Sequence, residues 1–477
     1  MVPPRFVPLI EETAELAAAF TAAGHRIYLV GGIVRDAMLG HVRATLDLDF
    51  TTDALPKETL RILRSLPTEA VWTQGERFGT IGAQVAGRTL EITTHRGEAY
   101  SPDSRKPDVE FATDIHLDLS RRDFTINSMA LELGIGEPRL IDPFDGAADL
   151  LANQLRTPLD PEVSFSDDPL RMLRAARFIS GFSMKPTLEL VEAVEKLAPR
   201  LSIVSNERIR QELDKLMVVE SPSAGLWFLV QTGLAAHFLP ELPAMELEQD
   251  PIHRHKDVLA HTIAVVENTS TDKIVRLAAL FHDIAKPKTR RIGSHGVSFH
   301  HHDVVGARMT RDRMKALTYP NHEIDDVAML VELHLRFHTY QAGWTDSAVR
   351  RYVRDAGPLL DRLNELTRCD CTTRNAKKAA ALSRRMDDLE ARIAELRDQE
   401  EIDSIRPDLD GSQVMTVLGI GPSRVIGEAL DMLLAIRLDE GPLGEVVATE
   451  RLRSWWSGHA SNQAATGPQT TSEEPTA

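Results

Sequence analysis

A short apolar segment that ends at two glycines constrains the fold of this chain more than any other feature. Residues 27–30 are aliphatic or aromatic, which predicts a buried strand, and Gly31-Gly32 interrupts them. Residues 33–39 carry apolar side chains at helical spacing and stop at Gly40, which is typical of a helix end. Glycines before a helix let a phosphate approach the backbone N–H groups at the helix N-terminus. The segment therefore predicts a phosphate-binding turn between a strand and a helix.

Two aspartates follow this turn in a second strand-like segment. Asp47 and Asp49 lie two residues apart within residues 46–51, so their side chains share one face of the strand. Paired carboxylates favour Mg²⁺, and two such ions can hold the attacking and leaving oxygens of a phosphoryl displacement. Glu91, in the predicted strand 88–94, either adds a third carboxylate or is an exposed strand residue, and the sequence leaves both interpretations open.

In this order and at this spacing, the two features resemble the signature of the DNA polymerase β-like nucleotidyltransferase superfamily. The form Gly-Gly-x-Val-Arg-Asp is similar to the class II branch, which contains the tRNA CCA-adding enzymes and bacterial poly(A) polymerases. The resemblance implies that Asp47 and Asp49 are catalytic and bind Mg²⁺. It also implies a phosphate site shaped by Gly31, Gly32, Arg35 and Asp36.

A second motif, Arg-Arg-Asp-Phe-Thr-Ile-Asn-Ser, occupies residues 121–128. Arginine presents a planar fork that suits phosphate oxygens, and Asp123 and Asn127 would share one face of a helix. Taken alone, the motif also fits a solvated surface with an aspartate cap. It resembles the family's Arg-Arg-Asp-x-Thr motif, which implies that Arg122, Asp123 and Asn127 hold the sugar and phosphates of a nucleotide.

A third motif begins at Asp167-Asp168-Pro169 and carries arginines at helical spacing. Taken alone, Asp168 is a natural helix cap and the arginines a solvated stripe. The segment resembles the family's Glu-Asp-x-x-Arg motif, with Asp167 in place of the usual glutamate. The resemblance implies that Asp168 and Arg171 read the incoming base, and that the triphosphate is faced by Arg174 and Arg177.

An amphipathic helix is predicted over residues 205–216, which resemble the family's Glu-Arg-Ile-x-x-Glu-Leu motif. We interpret Glu207 and Arg208 mainly as structural residues of this helix. Of these two residues, we expect Arg208 to be the nearer to the nucleotide.

Histidines and aspartates recur in a different pattern beyond residue 251. Imidazole and carboxylate groups are ligands of transition metals and of Mg²⁺, although scattered histidines alone usually have no function. The order His, His-Asp, His, His, Asp resembles the HD phosphohydrolase domain. The resemblance implies a core metal set of His261, His282, Asp283 and Asp370. Two further residues, His302 and His334, fit its two-metal variant.

The predicted fold class is α+β, with a small mixed sheet and its helices in an N-terminal nucleotidyltransferase head, followed by all-α regions. Leu382, Met386, Leu389, Ile393 and Leu396 predict a helical arm or short coiled coil. Residues 97–118 are rich in turn formers and charge, which predicts a mobile surface loop. The predicted divisions are an N-terminal helix (1–25), the head (26–155), a helical neck and RNA-binding region (156–250), an HD domain (251–375), a helical body (376–458) and a disordered tail (459–477).

Composition narrows the cellular setting and the partners. The net charge of −16 argues against a general nucleic-acid coat protein but allows a local basic groove. No run of 18 apolar residues exists, so no membrane span is expected. The opening residues lack the apolar core of a signal peptide, and Cys369 and Cys371 suit reduced thiols, so we expect a cytoplasmic protein. The sequence does not indicate an oligomeric state.

The family resemblance implies template-independent addition of CCA to the 3′ end of tRNA from CTP and ATP. Alternatives within the family are a relative that adds only A or only CC, and a poly(A) polymerase. The arginine-rich phenylalanine motif expected of poly(A) polymerases is not evident in residues 75–80. An alternative of another class is an HD-type metal-dependent phosphohydrolase. A protein uridylyltransferase would be longer, and a pure RNA-binding protein would not need Asp47 and Asp49 together.

Overall fold

The structure of the chain is a computed structural model. It describes residues 3–41, 47–99, 108–134, 137–247, 257–293, 296–339, 344–371, 376–399 and 405–465. Among these residues, no helix is both long enough and apolar enough to cross a membrane.

A mixed sheet forms the centre of the head. Its strands are β1 (Ile27–Val30), β2 (Asp47–Thr52), β3 (Ala70–Trp72), β4 (Thr80–Val85), β5 (Arg88–Thr94), β8 (Ala130–Leu133) and β9 (Arg139–Ile141). Within the described residues their order is β3-β4-β5-β2-β1-β8-β9. Strands β1 and β2 are antiparallel, whereas β2 and β5 are parallel, so β5 lies directly beside the strand that carries the two aspartates. The predicted strands at 27–30 and 88–94 are confirmed.

Six helices of the described residues belong to the head, together with the sheet. The head helices are α1 (Val7–Glu12), α2 (Ala14–Ala22), α3 (Gly32–Leu39), α4 (Pro56–Leu63), α5 (Ile115–Ser120) and α6 (Gly146–Ala152). Helix α4 begins at Pro56, which occupies its first turn, and Glu58 accepts a hydrogen bond from the Leu55 N–H at 3.1 Å.

Part of the predicted loop over residues 97–118 is regular structure, so that prediction is wrong there. Strands β6 (Arg96–Ala99) and β7 (Asp108–Phe111) pair antiparallel, and α5 follows them. Short segments with many turn formers can still pair when a partner strand supplies the hydrogen bonds, which local composition does not register. Residues 100–107, at the centre of the predicted loop, lie outside the described residues.

The region after the head is helical, as predicted. It contains α7 (Pro161–Asp167), α8 (Leu170–Gly181), α9 (Leu188–Leu197), α10 (Asn206–Met217), α11 (Ser223–Gln231) and α12 (Glu241–Ala244). A short parallel pair, β10 (Gln154–Leu155) and β11 (Lys185–Pro186), ties α6 to this region. Helix α10 confirms the helix predicted over 205–216.

The histidine-rich region is also mainly helical. Its helices are α13 (Val258–Asn268), α14 (Lys273–Phe281), α15 (Lys286–Thr289), α16 (His302–Ala316), α17 (Asn321–Leu333), α18 (Asp346–Ala356) and α19 (Leu360–Asp370), with a hairpin of β12 (Arg291–Gly293) and β13 (Gly296–Ser298). Short 3₁₀ helices lie at Pro4–Phe6, Glu76–Phe78, Thr125–Asn127, Ala198–Ile203, Leu234–His237, Arg336–Thr339 and Gly357–Leu359.

The chain ends in four helices: α20 (Ala376–Gln399), α21 (Gly411–Leu418), α22 (Arg424–Glu440) and α23 (Gly444–Ala465), counted over the described residues. Helix α20 confirms the predicted helical arm. Helix α23 extends beyond residue 459 into the segment predicted to be disordered, because a helix that is already formed adds residues at little cost. Residues 466–477 lie outside the described part.

Apolar packing joins the head, the neck and the histidine-rich region into one body. A single cluster of buried side chains runs from Phe6 to Leu396. A second, smaller cluster lies between α21, α22 and α23 and includes Leu409, Val414, Leu433 and Leu452. The candidate site residues of the head and those of the histidine-rich region are therefore held by the same continuous core.

Candidate active site and metal centre

The diglycine turn brings the backbone close to the candidate catalytic groups. Gly31 has a φ of +77°, a conformation that favours glycine. A Cβ atom on Gly31 would lie 3.4 Å from Nη1 of Arg122 and 3.8 Å from Oδ2 of Asp49. Helix α3 begins at the next residue, so its first N–H groups have no partner within the helix. The missing side chain leaves room for an anionic ligand between the turn, the arginine and the strand.

Asp47, Asp49 and Glu91 form a carboxylate cluster on one face of the sheet. Asp49 lies beside Glu91 in the register of the parallel β2–β5 pair. Nearby protein atoms partly desolvate Asp49 although its side chain still reaches solvent; this desolvation raises the pKa of Asp49, Arg122 opposes the effect, and the charge of Asp47 adds to it. Partial desolvation and the charges of Asp49 and Asp47 also raise the pKa of Glu91. Oxygen donors that repel one another in this way fit a divalent cation such as Mg²⁺. Glu91 lies beside the pair and is at the same time an exposed strand residue, so the two interpretations of this residue are compatible.

A buried aspartate holds the two arginines of the second motif. Asp118 accepts hydrogen bonds from Arg121 at 2.7 Å and from Arg122 at 3.1 Å. Burial opposes its ionisation, but the two arginines lower the pKa of Asp118 to about 2. Asp118 is not among the site residues predicted from the sequence, although its spacing of three and four residues before two arginines is an available signal.

The ion pairs of Asp118 with Arg121 and Arg122 predict a contribution to stability that depends on pH. The pKa of Asp118 is lower in the folded chain than its ordinary value of 3.8, so its contribution is present above that value and is lost as the pH falls towards 2. We expect Asp118 to account for about 2 kcal/mol of the loss in free energy of unfolding between pH 5 and pH 2. Urea denaturation across this range should show a shallower acid slope for Asp118→Asn. The exposed Asp145→Asn should keep the slope of the unmodified chain, and an unchanged slope for Asp118→Asn would contradict this account.

Four predicted nucleotide-site residues bond to one another. Oδ1 of Asp123 accepts from the Phe124 N–H at 2.8 Å and from Nδ2 of Asn127 at 2.9 Å. Oδ1 of Asn127 in turn accepts from Nη1 of Arg35 at 2.6 Å, and Arg35 donates to Oδ1 of Asp36 at 2.8 Å. The guanidinium of Arg35 also lies over the ring of Phe182. This network fixes α3 against the second motif and thereby fixes the position of the diglycine turn.

Arg174 and Arg177 bond to acidic residues of the chain. Arg174 donates from Nε to Oδ2 of Asp123 at 2.8 Å, and Arg177 donates from Nε to Oε2 of Glu212 at 2.8 Å. Burial opposes the ionised form of Asp123, but Arg174 lowers the pKa of Asp123 well below its ordinary range. The pairing with Glu212 was not predicted from the sequence, although the acidic position of the helix motif is an available signal. Both arginines are therefore tied to the walls of the site.

An open cleft of about 240 Å³ adjoins these residues. It contains both predicted base-reading residues, Asp168 and Arg171. Arg171 donates from Nη1 to Oγ of Ser164 at 2.8 Å, and Asp168 accepts from Nη2 of Arg208 at 2.9 Å. The side chains that line the cleft are those of Arg121, Arg122, Asp123, Asp168, Leu170, Arg171, Arg174 and Arg208.

All six predicted metal ligands of the histidine-rich region lie together. The ligand atoms form two groups that share Asp283: one with His261 and His282, the other with His302 and His334. The sixth residue, Asp370, has Oδ1 2.9 Å from Nε2 of His261 and 3.4 Å from Nε2 of His282. The helices α13, α14, α16, α17 and α19 bring these residues together from distant parts of the sequence.

Several polar atoms of this cluster are buried without a hydrogen-bond partner, namely Oδ1 of Asp283, Nε2 of His302 and Nε2 of His334. The Nδ1 atoms of His302 and His334 lie 2.7 Å and 2.5 Å from backbone carbonyl oxygens. A carbonyl accepts only, so each Nδ1 carries the proton and each Nε2 presents a lone pair. Unpartnered lone pairs aimed at a shared carboxylate fit metal ions.

The surroundings of the cluster shift the pKa values of two of its histidines in opposite directions. Burial opposes a charged His282, but the carboxylates of Asp283 and Asp370 raise the pKa of His282 to about 10. Burial, helped by the charge of His282, lowers the pKa of His334 to about 4. Lys286 also lies 2.6 Å from Asp283. A cation among these carboxylates would take the place of the proton on His282.

Comparison with known proteins places three family matches along the chain. Residues 27–156 match "Poly A polymerase head domain", residues 181–245 match "Probable RNA and SrmB- binding site of polymerase A", and residues 258–401 match "HD domain". Among solved structures, a Bacillus stearothermophilus CCA-adding enzyme in complex with CTP covers 97% of the chain and is covered in full, with a TM-score of 0.68 and 22% identity. A Thermotoga maritima CCA-adding enzyme complexed with tRNA-CCA gives a TM-score of 0.57 at 21% identity, with 95% and 96% coverage. At these identities the likeness concerns the fold.

Curated relatives give the family. A CCA-adding enzyme of Bacillus velezensis is 39% identical over 224 residues, which are 47% of this chain and 53% of that protein. This alignment therefore spans about half of that relative. An A-adding tRNA nucleotidyltransferase of Deinococcus radiodurans is 31% identical over 446 residues, which are 90% of this chain and 94% of that protein. This similarity confirms the resemblance inferred from the motifs, and the chain belongs to the tRNA nucleotidyltransferase family that includes the A-adding and CCA-adding enzymes.

Proposed function

We propose that this chain completes the CCA sequence at the 3′ end of tRNA, using CTP and ATP and releasing pyrophosphate. The observation that carries the proposal is the carboxylate cluster of Asp47, Asp49 and Glu91 beside Gly31 and Arg122. Relatives named for A or CCA addition, and fold neighbours solved with CTP, ATP and tRNA-CCA, support the choice of substrates. We also propose a cytoplasmic location, where tRNA and both nucleotides are available.

The geometry of the head supports a separate task for each of its site residues. Asp47 and Asp49, with Glu91 beside them, would hold Mg²⁺, which when bound stabilises charge on the attacking and leaving oxygens. Arg122 lies at the diglycine turn and can donate to phosphate oxygens there, together with the first N–H groups of α3. The tRNA 3′-hydroxyl would then attack the α-phosphate in line with the departing pyrophosphate.

Asp168 and Arg171 would select the base without a nucleic-acid template. Cytosine and adenine both present an amino group beside a ring nitrogen that accepts a hydrogen bond. A carboxylate can accept from the amino group, and a guanidinium can donate to the ring nitrogen. Both side chains line the same cleft, so one pair can serve both nucleotides in turn.

Extension of truncated tRNA tests this function directly. We expect tRNA that lacks CCA, CC or only A at its end to be extended to the mature length when CTP and ATP are supplied, as resolved on a sequencing gel. UTP and GTP alone should give no product. Absence of extension on all three tRNAs would contradict the proposed function.

Addition of the terminal A alone is the second candidate. The relative that aligns over 94% of its length is named as an A-adding enzyme, and this match covers more of the chain than the match to the Bacillus velezensis CCA-adding enzyme. In the same experiment, an A-adding enzyme would extend only the tRNA that already ends in CC, and it would use ATP without CTP.

We propose that the histidine-rich region binds one or two transition-metal ions. His261, His282, Asp283 and Asp370 would form the first site, and His302 and His334 would complete a second site that shares Asp283. Mixed imidazole and carboxylate donors suit Mn, Fe, Ni or Zn. The unpartnered lone pairs of Asp283, His302 and His334 support this proposal.

Metal content provides the test. We expect the purified chain to carry about one or two transition-metal ions by inductively coupled plasma mass spectrometry, and His282→Ala and Asp283→Ala to lose them. The control is His322→Ala, an exposed histidine on the helix that precedes His334. Equal metal content in all variants would contradict the assignment.

Phosphohydrolase activity is a second candidate function of this metal cluster. Two metal sites that share a carboxylate can activate a water molecule against a phosphoester. We expect the chain to hydrolyse cyclic nucleotide phosphates or phosphomonoesters, and His282→Ala to lose this activity while tRNA extension persists. If His282→Ala retained the hydrolytic activity, the metal cluster would not be the source of that activity.

A further inference from the structure

Helix α10 carries an arginine that holds the predicted base-reading carboxylate. Nη2 of Arg208 lies 2.9 Å from Oδ2 of Asp168, and Nη1 lies 3.5 Å from Oδ1. The guanidinium thus approaches the carboxylate with both terminal nitrogens. The two residues are 40 positions apart in the sequence. Asp168 lies between α7 and α8 and Arg208 lies on α10, so this contact depends on how α8 and α10 pack.

Other arginines of the cleft have different principal partners. Arg122 donates to Asp118, Arg174 donates to Asp123, and Arg171 donates to Ser164. Arg208 is therefore the cleft arginine whose direct ion pair is with Asp168. A substitution at Arg208 acts on the base-reading carboxylate without breaking the pairs that hold the second motif.

The hydrogen bonds of Asp168 leave room for a base. A carboxylate offers about four lone-pair positions. Oδ2 accepts from Arg208, and Oδ1 accepts from the Leu170 N–H at 3.2 Å and faces Nη1 of Arg208 more distantly. These bonds fix the plane of the carboxylate and leave one lone-pair position of Oδ2, and because Asp168 lines the cleft, that position can serve the amino group of cytosine or adenine.

Residues of the histidine-rich region hold helix α10 in place through hydrogen bonds. Arg210 donates to the Thr318 carbonyl at 2.6 Å, and Tyr319 donates its hydroxyl to Asp214 at 2.7 Å. At the end of the helix, Arg276 donates to the Met217 carbonyl at 2.6 Å. Because three contacts along its length hold the helix, the backbone at Arg208 has a defined position relative to the cleft.

We propose that Arg208 is a positioning residue for base selection, which orients the Asp168 carboxylate towards the amino group of the incoming base. This proposal rests on the proposed nucleotide-adding function. Uracil and guanine present a carbonyl oxygen where cytosine and adenine present an amino group. A carboxylate held in this orientation repels that oxygen, so the same contact favours the two correct bases and excludes the two wrong ones.

Without Arg208, Asp168 would lie among the remaining arginines of the cleft. Arg171 and Arg174 line the same cleft, and they would attract a carboxylate that has lost its own partner. A carboxylate turned towards them no longer faces the base. Loss of Arg208 should therefore weaken discrimination between bases more than it weakens the chemical step.

The test compares Arg208→Ala and Arg208→Lys with a matched control, Arg210→Ala, on the same helix. Single-nucleotide addition to truncated tRNA would be measured with each of the four nucleotides. For Arg208→Ala, we expect about a tenfold rise in KM for the correct nucleotide, a smaller change in kcat and about a tenfold loss of discrimination against UTP and GTP. Lysine retains the charge and should restore part of the discrimination.

Arg210 bonds to a backbone carbonyl outside the cleft, so Arg210→Ala should lower stability to heat but keep the preference for C and A. Discrimination that is unchanged in Arg208→Ala, or lost equally in Arg210→Ala, would overturn the proposal. If the unmodified chain extends no tRNA, the proposed function fails first, so the two failures are distinguishable.

Discussion

Replacing Asp49 by asparagine lowers the rate of nucleotide addition by about three orders of magnitude or more. The reason is that Asp49 lies between the diglycine turn and the neighbouring acids Asp47 and Glu91, and an amide is a much poorer ligand for Mg²⁺ than a carboxylate. Loss of about 4 kcal/mol of stabilisation of the transition state corresponds to this factor. The measurement is single-turnover extension of truncated tRNA at saturating nucleotide.

The same substitution should leave the fold intact. Partial desolvation and the charge of Asp47 already raise the pKa of Asp49, so removal of its charge relieves repulsion when no cation is bound. We therefore expect Mg²⁺ to raise the melting temperature of the unmodified chain but to have little effect on Asp49→Asn. Glu132→Gln, which removes a carboxylate of β8 that pairs with Arg139, is the control and should keep full activity. Near-normal addition by Asp49→Asn would refute the catalytic assignment.

Replacing Arg276 by methionine lowers the free energy of unfolding by about 4 kcal/mol. Arg276 is almost completely buried, and its guanidinium donates to the carbonyl oxygens of Met217, Val219, Glu220, Thr269 and Ser270. Methionine fills similar space but leaves these acceptors without a donor, and each buried unpaired carbonyl costs about 1 kcal/mol or more. Urea denaturation followed by the tryptophan fluorescence of the chain would measure the loss.

A surface arginine of the same region provides the comparison. Arg362 pairs with Asp272, and both side chains are about a third exposed. Arg362→Met should therefore cost about 1 kcal/mol or less. Equal losses in the free energy of unfolding for the two variants would show that the hydrogen bonds of the buried Arg276 guanidinium do not stabilise the contact between the neck and the histidine-rich region.

Local sequence was sufficient for the elements that carry the candidate catalytic acids. The alternation of Asp47, Leu48, Asp49 and Phe50 predicted a strand with two acids on one face, and the observed exposure alternates in the same way. The glycines predicted a turn and a helix, and Gly31 indeed has a positive φ. These predictions succeeded because the periodicity of apolar side chains and the backbone freedom of glycine are set by residues that are neighbours in the sequence. The loop prediction over 97–118 was wrong in part because strand pairing depends on a partner strand elsewhere in the chain.

The sequence by itself determined the residue types of the sites, and the tertiary structure decided their partners. Glu91 was ambiguous until the parallel pairing of β2 and β5 placed it beside Asp49. The ion pairs of Arg174 with Asp123 and of Arg208 with Asp168 join residues 51 and 40 positions apart, and local patterns contain no information about such distances. Side chains remote in sequence meet only when helices pack around a common core, so the charge, burial and orientation of each group follow from that packing.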